Sequence, residues 1–231
     1  MKTSNKILIG ILLVSFGFAI TSHIVLRGKF LRGDFISKNK MANFFYDVHA
    51  LTQPKFIKLY KLDACCIKQG AKPLLSIEKG LIKNVNYIVR NDTLVIYGDS
   101  AANQWASPRV KLELPVVSFI DIRDCKVIIE GSRDSSSGTN FRLSMNNGHL
   151  YTRQPYGDTV IKKYFGVIEA TVTNNSEIVL YRKDSFNNIN LDLSNSSFYE
   201  RNAKYNDINI RSDSNSTIVT GGKTFSYAVS K

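Results

Sequence analysis

The segment SNSTIVTGG at Ser214–Gly222 decides the fold, because two variants of it, SNSSFYE and TNNSEIV, occur upstream. In each variant a polar cluster of Asn, Ser and Thr, called a knot here, precedes a hydrophobic residue. The central asparagines lie 21 and then 20 positions apart, at Asn174, Asn195 and Asn215. Asn and Ser favour turns, since their side chains bond to nearby backbone and Asn tolerates a left-handed φ. We therefore interpret the knots as corners in a unit that repeats about every 20 residues.

Two columns of apolar residues accompany these corners. In the first column apolar residues alternate with polar ones, which gives each predicted strand one apolar and one polar face. Its strands begin at Ile120, Phe141, Ile168, Ile189 and Ile208. The second column follows the corners at intervals of 20, at Ile178, Phe198 and Ile218.

The repeat predicts an all-β chain folded as a parallel β-solenoid. A single unit of two strands and a corner cannot bury its own apolar face, whereas stacked units join their faces into a continuous core. An antiparallel sandwich also has short alternating strands, but its strands recur at about 8 to 12 residues without a repeated unit. The unit of about 20 residues favours the solenoid.

The N-terminal region predicts a membrane anchor. Ile7–Leu26 contains no Lys, Arg, Asp or Glu, and about 20 helical residues cover a hydrocarbon core of roughly 30 Å. A cleaved signal peptide is the alternative, but its apolar stretch is usually about 7 to 15 residues. We expect a tail at 1–6, a transmembrane helix at 7–26, a basic-aromatic connector at 27–50 and the β domain at 51–231.

The net charge of +12 does not indicate a nucleic-acid partner. Seven Lys and Arg residues and one acid fall within residues 1–40, next to the predicted anchor. Such a stretch is attracted to anionic lipid headgroups. The remaining cations form no cluster within a nucleic-acid-binding motif. The membrane is thus the partner that the charge distribution predicts.

No motif in the sequence predicts catalysis, a cofactor or a metal site. Cys65, Cys66 and Cys125 lack C-x-x-C spacing and are expected to be buried, although a bridge from Cys125 to one of the pair stays open. The histidines are isolated, and G-x-S-x-G is absent. Carboxylates on outward positions leave a carbohydrate-active enzyme as a minor alternative; they are Asp121, Glu169, Asp192 and Asp207.

Tyrosines beside polar corners or loops are the candidate ligand-binding residues. Aromatic faces with polar neighbours stack on sugar rings, so a glycan is the ligand class that they predict. The candidates are Tyr151, Tyr156, Tyr164, Tyr199 and Tyr205.

Three consecutive stretches of strand signals open the predicted β domain: FIKLYKLDACCIKQGAKPLLSIE, NVNYIVRNDTLVIYG and RVKLELPVVSFIDIRDCKVIIEG. On the basis of these stretches, residues 56–230 resemble the "putative auto-transporter adhesin, head GIN domain" family of Bacteroidetes envelopes. The resemblance implies a right-handed parallel β-helix in the cell envelope without catalytic residues.

The resemblance also bears on orientation. More cations follow the predicted anchor than precede it, which by itself would keep the domain in the cytoplasm, but long domains translocate largely regardless of charge. We expect a single-pass inner-membrane protein with a periplasmic β domain. Its expected function is adhesin-like recognition, with a structural role in holding another envelope protein as the alternative.

Overall fold

The computed structural model describes residues 3–31, 44–81, 83–98, 109–116, 119–152, 162–221 and 228–229. The chain separates into two compact units, residues 1–45 and 46–231.

The first unit contains an apolar helix, α1 (Thr3–Leu31). The segment Ile9–Lys29 is long and apolar enough to cross a membrane, a test that N-terminal signal sequences also pass. Its large apolar side chains are exposed; Phe18, for example, is 76% exposed. The prediction of an apolar N-terminal helix is therefore confirmed.

The second unit is built from strands. In the described residues they are β1 (Tyr46–Ala50), β2 (Phe56–Tyr60), β3 (Cys65–Gln69), β4 (Leu74–Glu78), β5 (Val85–Arg90), β6 (Thr93–Gly98), β7 (Val110–Leu114), β8 (Phe119–Arg123), β9 (Lys126–Glu130), β10 (Thr139–Asn146), β11 (His149–Tyr151), β12 (Lys163–Thr173), β13 (Glu177–Leu180), β14 (Asp184–Ser194), β15 (Ser197–Glu200), β16 (Lys204–Ser212), β17 (Thr217–Val219) and β18 (Ala228–Val229). A 3₁₀ turn, Lys79–Leu81, follows β4.

These strands form two nine-stranded sheets within the described residues. Sheet A has the order β1-β4-β7-β3-β9-β11-β13-β15-β17, and sheet B has the order β18-β16-β14-β12-β10-β8-β2-β6-β5. Inward residues of both sheets, such as Leu112 in sheet A and Leu143 in sheet B, join one hydrophobic core. The outward positions of sheet B carry polar and aromatic side chains.

The prediction of a right-handed parallel β-helix is wrong, because both sheets are open and mixed. Among the strands that the structure describes, three pairs are antiparallel: β1 with β4, β4 with β7, and β5 with β6. The β5–β6 pair has a local cause. Asn91 and Asp92, which join these strands, have φ values of 46° and 60°, and two consecutive left-handed residues form the tight turn of an antiparallel hairpin.

The predicted apolar columns are confirmed as parallel registers in the second half of the unit. Ile178 pairs with Phe198, and Phe198 pairs with Ile218. Ile168 pairs with Ile189, which pairs with Ile208. Parallel pairing at an interval of about 20 residues thus operates locally, from β12 to β17, without extending to the first strands of the unit.

Two of the three predicted corners have the expected backbone. Asn174 and Asn195 are left-handed, with φ values of 53° and 47°. The third corner is organised by Asp213, whose carboxylate accepts hydrogen bonds from the backbone N–H of Asn215 at 3.2 Å and from the Ser216 hydroxyl at 2.6 Å. The Asp213 carboxylate also accepts the backbone N–H of Asn195 at 3.0 Å, so it joins two neighbouring corners.

The three cysteines are buried and form no disulfide. Cys65 and Cys125 lie in the shared core, whereas Cys66 faces outward beside Ile128. Burial raises the pKa of Cys66 and of Cys125 to about 12. These thiols therefore remain protonated at neutral pH and behave as small apolar side chains.

Candidate ligand-binding face

The outer surface of sheet B presents two aligned rows of polar side chains, which we call the polar face. In the first row, Glu169 pairs with Arg142 on one side and with Asn190 on the other. In the second row, Asp192 pairs with Thr171 and with Arg211. The full set is Arg142, Glu169, Asn190 and Asn209 in the first row, and Ser144, Thr171, Asp192 and Arg211 in the second.

The alignment of the polar face follows from the sequence. Strands β10, β12, β14 and β16 pair in parallel, so equivalent positions recur on neighbouring strands about 4.8 Å apart. Alternation then directs the apolar residue between each two polar ones, such as Leu191 between Asn190 and Asp192, into the core. The eight side chains line an open concavity of about 570 Å³ together with Phe119.

An ion pair occupies the β10 end of the polar face. The Nε of Arg142 lies 2.7 Å from Oε2 of Glu169. On the adjoining strand β8, a nitrogen of Arg123 lies 3.1 Å from Oδ2 of Asp121. The hydrogen bond and the charge of Asp121 raise the pKa of the Arg123 guanidinium. Both carboxylates are therefore neutralised by arginine.

The other end of the polar face is open. Asn190, Asn209, Asp192 and Arg211 form no side-chain hydrogen bond or ion pair with any other residue that the structure describes. Asn209, Asp192 and Arg211 are exposed, and Asn190 is partly exposed. Two amides, a carboxylate and a guanidinium thus face solvent together within one concavity.

An aromatic surface adjoins the polar face; we call it the aromatic platform and define it as Phe56, Tyr60, Tyr97 and Phe119. The rings of Phe56 and Phe119 lie 6.4 Å apart in an edge-to-face arrangement. Phe56 is 49% exposed, and Tyr97 is 37% exposed. The Arg123 guanidinium lies 5.7 Å from the centre of the Tyr60 ring. Phe119 belongs to both surfaces, because it also lines the concavity.

The sequence carried a signal for the platform. In FIKLY at Phe56–Tyr60, apolar Ile57 and Leu59 alternate with Phe56, Lys58 and Tyr60, which places two aromatic residues on the outward face. These aromatic residues lie within strands, so they were not among the predicted ligand-binding residues, which were tyrosines beside corners or loops.

The predicted tyrosines are distributed over several places. Tyr151 and Tyr199 lie on the outer surface of sheet A, where each is in register with Val179. Tyr164 lies near the start of β12, and its backbone bridges to Ser132. Tyr205 is in register with Phe186 and packs against the core. Tyr156 lies outside the described residues.

Tyr151 is the most enclosed of the described candidates. It is 7% exposed and clusters with Cys66, Ile128 and Val179, and burial raises the pKa of its phenol. The structure thus brings Tyr151 and Tyr199 onto one surface and separates Tyr164 and Tyr205 from them. A ligand-binding role for the tyrosines stays a prediction.

The candidate catalytic carboxylates all lie on sheet B. Asp121 and Asp192 lie in one row and Glu169 lies in the neighbouring row, while Asp207 is in register with Asn188. Asp121 and Glu169 are each engaged by an arginine, whereas glycoside hydrolysis needs a pair of carboxyl groups that flank the scissile bond. Among the described residues, no group of three His, Cys, Asp or Glu side chains could hold a metal ion.

The sequence matches no protein-family model and no curated protein. Solved structures with some similarity include a "putative adhesin" from Parabacteroides merdae, at 10% identity over 75% of this chain and 79% of that one, with a TM-score of 0.47. A "putative adhesin" from Parabacteroides distasonis is 11% identical over 75% and 79%, with a TM-score of 0.44. A "putative lipid binding protein" from the same species is 9% identical over 82% and 98%, with a TM-score of 0.43.

Proposed function

We propose that this chain is a non-enzymatic, adhesin-like binding protein of the bacterial envelope, anchored in the inner membrane by α1 with its β domain in the periplasm. The polar face holds an extended glycan. The observation that carries this proposal is the open end of the polar face, where Asn190, Asn209, Asp192 and Arg211 share one concavity without engaging other described side chains.

The chemistry of these four groups suits a ligand rich in hydroxyls. An amide both donates and accepts hydrogen bonds, a carboxylate only accepts them and a guanidinium only donates. A sugar hydroxyl can satisfy any of the three. Because the polar positions recur on successive strands about 4.8 Å apart, the face matches a ligand that also repeats. Phe119 adds an aromatic ring at one end, and pyranose rings stack on such faces.

Other functions are disfavoured by the same side chains. Phosphate backbones are held mainly by Lys and Arg, whereas Glu169 and Asp192 place two carboxylates in the middle of the face. Hydrolysis by Glu169 is disfavoured because an ion pair with Arg142 already engages its carboxylate.

The test is a double variant, Asn190→Ala with Asn209→Ala, made in the full chain and purified in a nonionic detergent. Binding to a glycan array is compared with the wild type. Two lost hydrogen bonds at about 1 kcal/mol each predict roughly 30-fold weaker binding of the preferred glycan. Asn187→Ala is the matched control, since Asn187 is exposed on the same strand β14 but does not line the concavity.

Each alternative has its own outcome. Unchanged binding by the double variant refutes the polar face, and a loss on Tyr199→Ala instead would assign binding to sheet A. A protein crosslinked to the domain in membranes, without any glycan signal, would establish the structural role. Turnover of a polysaccharide that needs Glu169 would establish an enzyme.

The compartment has a separate test. Protease added to intact cells and to cells with a permeabilised outer membrane should digest the β domain only after permeabilisation. Digestion only after lysis of the inner membrane would place the domain in the cytoplasm and exclude the periplasmic arrangement.

A further inference from the structure

The aromatic platform surrounds a lysine. Strand β2 lies between β6 and β8, so Lys58 has Val95 on one side and Asp121 on the other. Phe56 precedes Lys58 by two residues and Tyr60 follows it by two, on the same outward face. The ammonium group is therefore carried between two aromatic positions, on an exposed part of the sheet.

Lys58 is available to a ligand. Asp121, its neighbour in register, is already bound by Arg123 at 3.1 Å, and Lys58 forms no ion pair with any residue in the described part of the chain. A second cation, Arg90, also forms no ion pair with a described residue. It lies in the same row of strand positions as Phe56, because Thr93 is in register with both. The platform thus combines stacking surfaces with uncompensated positive charge.

This combination selects one class of sugar. Aromatic faces stack on the apolar side of a pyranose ring, and the ammonium attracts an anion held at the edge of that ring. We propose that the aromatic platform binds a carboxylate-bearing sugar residue, so that the preferred ligand of this protein is an acidic glycan. This inference rests on the proposed function and adds the class of ligand.

The two surfaces form one continuous site. Phe119 stands in register with Phe56 in the platform and also lines the concavity of the polar face. An extended glycan with its acidic residue on the platform therefore continues across β10 to β16 and contacts Asn190 and Asn209. A flat lipid surface fits less well, because the polar face is a concavity, whereas a bilayer presents a flat layer of headgroups.

The experiment compares an oligogalacturonate with its methyl ester, which has the same sugar chain without the charge. The full chain is used in a nonionic detergent. We expect the wild type to bind the acidic form about tenfold more tightly. Lys58→Gln should abolish this preference and leave binding of the methyl ester unchanged. Lys72→Gln is the control, because Lys72 is an exposed lysine in the turn before β4 of sheet A.

The stacking contribution is tested at Phe56. Phe56→Tyr keeps the ring and should keep the affinity, whereas Phe56→Leu keeps only the apolar bulk and should weaken binding of both forms severalfold. Urea unfolding of both variants distinguishes a loss of binding from a loss of folding. A stable Phe56→Leu variant that still binds normally would contradict the stacking contribution.

Several results would overturn the proposal. Equal binding of oligogalacturonate and its methyl ester by the wild type would contradict the acidic preference. If the Asn190/Asn209 double variant still weakens binding of both, glycan binding by the polar face stands without that preference. Binding of neither form overturns the acidic preference, and the glycan array with the Asn190/Asn209 double variant then decides the proposed function separately. If Lys72→Gln reduces the preference for the acidic form as much as Lys58→Gln does, the preference comes from general charge attraction and not from the aromatic platform. Capture of anionic vesicles by the protein in neutral nanodiscs, dependent on Lys58, would assign the platform to a lipid surface.

Discussion

Replacing Gly166 by alanine should destabilise the β domain through a single side chain. Gly166 lies in β12, where Oδ1 of Asn140 from β10 accepts the backbone N–H of Val167 at 2.7 Å. A Cβ on Gly166 would collide with that same Oδ1 atom, and it would approach the carbonyl oxygen of Gly138 to 3.1 Å. The backbone at Gly166 is not left-handed, so the collision alone determines the cost.

The magnitude follows from the contacts. Gly166→Ala displaces the Asn140 amide, which loses a hydrogen bond of about 1 kcal/mol and adds a packing strain of about 1 kcal/mol or more. We expect a loss of about 2 kcal/mol in the free energy of unfolding. Asn140→Ala alone removes the hydrogen bond and should cost about 1 kcal/mol. In the double variant the colliding atom is gone, so the total should be about 1.5 and not about 3 kcal/mol.

The assay is urea unfolding of the full chain in nonionic detergent, followed by the β-sheet signal in far-ultraviolet circular dichroism. Gly80→Ala is the control, because a Cβ at Gly80 meets no atom within 4 Å and should change stability by less than about 0.5 kcal/mol. Additive costs in the double variant, or a Gly166→Ala variant as stable as the control, would refute the reasoning.

Three further predictions concern the core, the third corner and the thiols. Phe198→Ala should lower the free energy of unfolding by about 3 to 5 kcal/mol in the same urea assay, because the ring is fully buried in the Ile178–Ile218 column. Val219→Ala, at the exposed edge of the sheet, should lower it by less than about 1 kcal/mol. Hydrogen bonds from Ser216, Ser194 and the Asn195 and Asn215 backbones lower the pKa of Asp213, so its contribution to the stability of the folded state is present above about pH 4 and is lost as the pH falls below that value. Asp213→Asn should therefore lower stability at pH 7 and flatten the acid side of the pH–stability curve. An unchanged curve would contradict this role of Asp213. Cys66 and Cys125 should resist iodoacetamide at pH 8 in the folded chain and react when it is unfolded, as read by mass spectrometry, because burial raises both pKa values to about 12; rapid labelling of the folded chain would contradict their burial.

The second half of the β domain could be predicted from the sequence because its information is local and repeated. Alternation at Ile168 and Ile189 defined which face enters the core, and the left-handed Asn174 and Asn195 defined where each strand ends. Nearly equal intervals between such corners favour the parallel register, since a shift of one residue would turn the polar side chains of a strand toward the core.

The first half could not be derived in the same way, because its strands pair with partners distant in sequence. Strand β2 inserts between β6 and β8, and β3 inserts between β7 and β9. Nothing in a short apolar strand specifies such a partner. The β5–β6 hairpin is the exception, since Asn91-Asp92 between two alternating runs is a recognisable two-residue turn.

The candidate site was only partly accessible to sequence reasoning. Glu169 and Asp192 were placed on outward positions, which the structure confirms. The ion pair of Glu169 with Arg142 depends on a 27-residue separation that includes a long connection. The platform required knowledge that β2 neighbours β8, because only that pairing brings Phe56 to Phe119.

The nearly equal spacing of the strands from β12 to β16 makes the ligand surface extensible by gene duplication. Inserting a copy of residues 174–194 would add one strand to each sheet and reproduce Asn190 and Asp192 one strand further along. The ligand surface would lengthen by about 4.8 Å, and the added strands would pair in the same parallel manner as their neighbours. Duplication of this unit would therefore adapt the domain to longer saccharides.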